Sequence, residues 1–120
     1  MGGIFEDRLI RFANLILQVC ENIKYTDSGR HLRSQLIRSG TSPALNYGEA
    51  QSAESNKDLL HKLRIMVKEL RETYINLKLI KMNGLCRNGL LLEEALDENN
   101  QLIAIFIKSI QTVRKKTKGI

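Results

Sequence analysis

Tryptophan is absent from this sequence, proline occurs once, and there are two cysteines and few aromatic side chains. Each shortage excludes something. With aromatics at 5% of residues, the core has to come from Leu, Ile, Val and Met. One proline and eight glycines in 120 residues exclude collagen-like and low-complexity material. A hydrophobic share of 42% excludes a chain too polar to fold. Cys20 and Cys86 match no metal or redox spacing, and their apolar neighbours predict buried free thiols in a reducing compartment. No apolar run approaches the ~18 residues of a membrane span. The opening MGGIFEDRL is acidic where a secretory leader is basic. Glu6 stands where N-myristoylation of Gly2 needs Ser or Thr. The expectation is a soluble, cytoplasmic, single domain over residues 1–120 with no membrane partner.

What the sequence does have is Leu, Ile, Lys and Glu in helical rhythm. Phe5, Leu9, Phe12, Ile16, Val19 and Ile23 alternate steps of four and three, which predicts a helix from roughly Ile4 to Tyr25. A second apolar row, Ile10, Ala13, Leu17 and Cys20, lies beside it. YTDSGRH breaks the pattern, with Thr26, Asp27 or Ser28 as cap for a second helix over roughly residues 28–51. The third helix, roughly 52–82, keeps the rhythm through Leu59, Leu63, Met66, Leu70, Thr73, Leu77 and Ile80. Ser52 and Ser55 are its possible caps, and MNGLCRNG supplies glycine stops. A sparser row of Ile65, Ile75, Leu79 and Met82 lies off the main seam, and a monomer would have no need of it. The fourth helix, roughly 90–116, carries Leu92, Leu96, Asn99, Ile103, Phe106, Ile110 and Val113. Asn99 is the polar intruder, and the polar DENNQ around it favours a solvated edge over a buried register device. Four amphipathic segments with short connections predict an all-α, antiparallel up-down four-helix bundle.

RSGTSPALNYGEAQ, Arg38 to Gln51, interrupts the second helix. The helix can stop at Gly40 and restart with Ser42 as cap and Pro43 at its first position, or it can continue and bend at Pro43. A phosphate cradle is the least supported option, because the strand and glycine spacing of such loops are missing. Small residues from Ser39 to Ala53 suit close backbone approach. Asn46 and Glu49, a turn apart, fit polar bonding around the bend better than a ligand site.

QLIRSGTSPALNYGEAQSAES followed by KDLLHKLRIMVKELRETYINLKLI resembles the bacterial four-helix bundle family encoded by intervening sequences in large-subunit ribosomal RNA genes. Arg38, Ser42, Asn46 and Glu49 fall at that family's second-helix positions, and Glu69 and Leu70 at its third-helix Glu-Leu pair. Two features depart from the pattern. Pro43 stands one position ahead of the usual proline, and Ala50 stands where glycine is common. The resemblance implies a bent second helix and a ring of bundles, typically a homopentamer. It also extends to the accessory protein of diversity-generating retroelements, a basic pentamer that binds nucleic acid and a reverse transcriptase.

No catalytic constellation is present. His31 and His61 lack the i, i+4 partner of a helical metal site, so no metal, cofactor or enzymatic activity is expected. Neighbouring carboxylates such as Glu93 with Glu94 suit a solvated helix face, and Glu69 is placed to pair with Arg38. The formal charge of +6 directs attention to the bases. Arg30, Arg33 and Arg38 occupy the second helix. Lys57, Lys62, Arg64 and Lys68 occupy the third, and Arg114, Lys115, Lys116 and Lys118 the end of the fourth. Repeated around a ring, they would favour phosphate backbones of RNA or DNA without reading sequence. Aromatic stacking groups are scarce, which disfavours base readout. A scaffold that docks only a protein partner is the alternative.

Overall fold

The computed structural model describes residues 3–118; the side chain of Lys118 and the Gly2 position lie outside the described residues. Four helices follow one another: α1 Gly3–Glu21, α2 Asp27–Gln51, α3 Asn56–Met82 and α4 Gly89–Lys118. No strand occurs among the described residues, which settles the all-α class.

Local chemistry sets the boundaries. Thr26 is the cap of α2, its hydroxyl accepting from the Gly29 amide, and Ser55 caps α3 by accepting from the Asp58 amide. The third helix therefore begins four residues later than its apolar pattern suggested. Asn83 ends α3 and Gly84 follows at φ 58°, the left-handed conformation that glycine adopts without strain. The second glycine of MNGLCRNG is no stop: it opens α4, where the Asn88 side chain accepts from the Leu91 amide.

The first helix ends at Glu21, short of the expected Tyr25, because its connection is taken up by another. Lys24 N–H donates to Leu85 O at 2.8 Å and Arg87 N–H to Asn22 O at 2.8 Å, an isolated antiparallel bridge between the two loops centred on Ile23 and Cys86. Ile23 is still buried, as the stripe predicted, but from a loop.

Around the bundle, α1 neighbours α2 and α4, and α3 neighbours α2 and α4, while the α1 and α3 backbones lie diagonally across the core from each other. The centre is aliphatic with two rings in it. Leu9, Phe12, Ile16 and Val19 of α1 meet Leu36, Met66, Leu70, Leu77, Leu102 and Phe106. Ile10 and Leu17, the second row of α1, face outward; from that row only Cys20 is fully buried.

The proline question has a definite answer. The second helix is continuous from Asp27 to Gln51 with Pro43 inside it and buried. Pro43 cannot donate to the Ser39 carbonyl, so the turn before it forgoes one bond. Three residues earlier, Gly40 lies directly on α1: a Cβ there would stand 2.7 Å from Ile16 Cγ2.

Asn99 corrects the expectation of a solvated edge. It is 0% exposed, and its Nδ2 donates to the Leu70 carbonyl of α3 at 3.0 Å. Cys86 is likewise only partly buried, in the loop after α3, although both cysteines are free thiols.

Candidate nucleic-acid interface

Bases matter for phosphate binding only where no carboxylate already holds them. On α2, the guanidinium of Arg30 pairs with Asp27, one turn back. Arg33 lies over the Tyr25 ring at 4.7 Å and donates to its hydroxyl. Arg38 forks between two acids of α3: Nη1 to Glu69 Oε2 at 3.0 Å and Nη2 to Glu72 Oε1 at 3.2 Å. The pair expected for Arg38 and Glu69 is thus formed, and it leaves Arg38 less to offer a phosphate. Lys62 turns to Glu49 at 3.0 Å.

That pair borders a buried polar layer between α2 and α3. The Thr73 hydroxyl is 2.9 Å from the Ser39 hydroxyl, and Asn76 Nδ2 donates to the same oxygen at 3.3 Å. Burial raises the Glu69 carboxyl above the usual carboxylate range; neighbouring Glu72 pushes the same way and Arg38 opposes. Asn46 bonds inside its own helix, Nδ2 to the carbonyl and hydroxyl of Ser42 at 3.1 and 2.8 Å. So Ser42, Asn46, Glu49 and Glu69 all have partners within the chain. None of them reaches the carbonyl of Ser39.

The remaining bases gather elsewhere. Lys57, Arg64, Lys68 and Arg71 recur at steps of seven, four and three, on the outward face of α3, with exposed His61 completing the stripe. Each is exposed, and none of the four bases has a carboxylate partner among the described residues. Arg64, Lys68 and Arg71 rim a shallow depression of about 440 Å³ floored by Val67 and Ile75. From Lys57 to Arg71 the stripe runs about 21 Å at ~1.5 Å per residue. Sequence reading found Lys57, Arg64 and Lys68 but missed Arg71; extending the 4-3 step beyond Lys68 would have reached it.

Arg114, Lys115 and Lys116 are exposed and unpaired among the described residues at the end of α4. Leu59 and Leu63 of α3 share a groove with Thr112 and Val113 of α4, so this basic end adjoins the start of the α3 stripe. The same position has a purely structural benefit, since cations at a helix C-terminus offset its dipole.

Among the described residues, no group of three or more His, Cys, Asp or Glu is placed to hold a metal ion, and no helix is long and apolar enough to cross a membrane. The architecture and polar layer define a class, the all-α four-helix proteins. A solved structure from Bacteroides thetaiotaomicron VPI-5482, described as a protein with unknown function from the S23 ribosomal protein family, is similar to this chain. It is 27% identical with a TM-score of 0.74, over 88% of this chain and 96% of that one. No protein-family model matches the chain, and no curated protein matches it.

Proposed function

We propose that this protein is a non-enzymatic, cytoplasmic, ring-forming bundle that binds RNA or DNA through phosphate contacts. The observation that carries the reading is the outward stripe of unpaired bases on α3, adjoining the basic end of α4. Phosphates recur along a nucleic-acid strand, and a row of cations on a rigid helix meets several at once without reading bases.

The finer architecture follows the same reading. An up-down bundle accounts for Lys81 of α3 meeting Glu93 of α4 while Leu70 meets Asn99 further along. A bend of α2 at Pro43 and membership of the ribosomal-intervening-sequence family, related to the retroelement accessory protein, fit the 27% identity to a structure assigned to a ribosomal protein family. Exposed apolar rows on the outer faces support self-assembly, by the resemblance a homopentamer.

Fluorescence anisotropy with a labelled duplex RNA and a duplex DNA of mixed sequence tests the binding. Affinity is expected to fall by about tenfold or more between about 50 and 200 mM salt, the response of a few displaced counterions. Replacing Lys57, Arg64 and Lys68 together by Ala is expected to weaken binding and flatten that salt slope. No binding at low salt would leave a protein-docking scaffold as the better account.

A further inference from the structure

Two exposed apolar rows lie on the two helices that face each other diagonally across the core. On α1, Ile10 and Leu17 are 53% and 42% exposed; on α3, Ile75 and Met82 are 55% and 77% exposed, with Leu79 beside them. Because the α1 and α3 backbones are diagonal, each flanked by α2 and α4, these outward rows occupy opposite corners of the bundle and cannot merge into one patch.

Their surroundings differ in sign. The α3 row is flanked by Lys68, Arg71 and Lys78, while the nearby Glu72 is already held by Arg38. On α1, Asp7, Ile10, Asn14, Leu17 and Glu21 follow one another at steps of three and four, with Glu6 beside them. Glu94 and Asp97 of α4 line the adjoining groove with Arg11, the one opposing base there, since Arg8 is bound to Glu98 at 2.8 Å.

From these two faces we infer a heterologous contact between copies of this chain: the α1 row of one copy seats across Ile75–Met82 of α3 in the next. A two-fold contact would set bases against bases on α3, or acids against acids on α1; only the mixed contact joins opposite charges over apolar side chains. It crosses the C-terminal half of α3 and leaves Lys57 and Arg64 free. Each copy then offers one face of each kind, and the chain of copies ends only by closing on itself. The inference rests on the oligomeric reading above and specifies its contact.

Complementation tests it on the full-length chain, by native mass spectrometry and light scattering. Ile10→Ser with Leu17→Ser removes the α1 row, and Ile75→Ser with Met82→Ser removes the α3 row. Each double variant is expected to be monomeric alone, with assembly weakened at least about a hundredfold. An equimolar mixture is expected to give one-to-one dimers and nothing larger, because each variant keeps the face that the other lacks. That dimer also requires both variants to be folded. A mixture that stays monomeric, or variants that assemble like wild type, would overturn the contact; so would variants that each stop at a dimer. A third variant keeps both apolar rows: Arg71→Glu with Lys78→Glu is expected to weaken assembly about tenfold, and unchanged assembly would refute the charge pairing. A wild-type chain that is itself monomeric removes the oligomeric reading as well, so the two failures are distinguishable.

Discussion

Glu69 is held in the wall between α2 and α3 by opposing influences. Burial and the neighbouring Glu72 penalise its charge, and the half-exposed Arg38 favours it, with the net effect upward from the usual carboxylate range. A carboxyl whose pKa rises on folding contributes stability that is fully present below its unfolded value, near 4.5, and lost as pH rises through the folded value. Glu69→Gln keeps an acceptor for Arg38 and cannot ionise. At pH 4 its stability is expected to lie within about 1 kcal/mol of wild type, the worth of a partly exposed pair. Between pH 4 and pH 7 wild type is expected to lose ground to the variant in urea unfolding. The opposite trend would mean that Arg38 outweighs burial. Asn99 shows why such positions are hard to read from sequence. Its neighbours Asp97, Asn100 and Gln101 are polar and exposed, yet the helical phase puts Asn99 on the Leu70 side, where one donated bond accompanies its burial. Polarity of the flanks misled; phase alone would have placed it correctly.

At the scale of an element, α2 makes the sharpest case, because two of its glycines have opposite reasons to be there. A Cβ at Gly40 would stand 2.7 and 2.8 Å from Ile16 Cγ2 and Cγ1, atoms next to the backbone of a fully buried, β-branched residue that cannot swing aside. At Gly48 nothing lies within 4 Å of the added atom. Gly40→Ala is therefore expected to lose about 1–3 kcal/mol to overpacking, more than the helix propensity it gains. Gly48→Ala is expected to gain up to about 1 kcal/mol, and thermal melts of the two variants are the measurement. Loss in both would place an undetected neighbour at Gly48, and gain in both would mean that α1 shifts freely. The apolar 4-3 rhythm made all four helices legible, because burying one face is what holds them. Their ends were less so. Thr26 and Ser55 were among several hydroxyl candidates that differ only in backbone conformation, and α1 stops early because a loop remote in sequence binds its connection.

For the whole molecule, the division between paired and unpaired charge is the property that sequence could not supply. The Arg38–Glu69 pair was expected, but Lys62 has the same local appearance as Lys57 and Arg64, and only the packing of α2 against α3, which brings Glu49 to it, sets it apart. The outward apolar row on α3 was legible, since a residue off the seam of a long helix has nowhere inside to go. The two thiols report on how firmly that whole packs. Cys20 is buried between α1 and α2, and burial pushes its thiol up to about 12, so almost none of it is thiolate at pH 8. Cys86 lies partly exposed in the bridged loop after α3. Iodoacetamide at pH 8 is expected to label Cys86 first. Labelling of Cys20 is expected to be slower by at least about a thousandfold, because it waits on an opening that costs about 5 kcal/mol or more. Mild urea should then accelerate Cys20 in step with global unfolding measured by circular dichroism. Rapid labelling of Cys20 in the absence of urea would show that the α1–α2 wall opens by itself, with the remaining helices still folded.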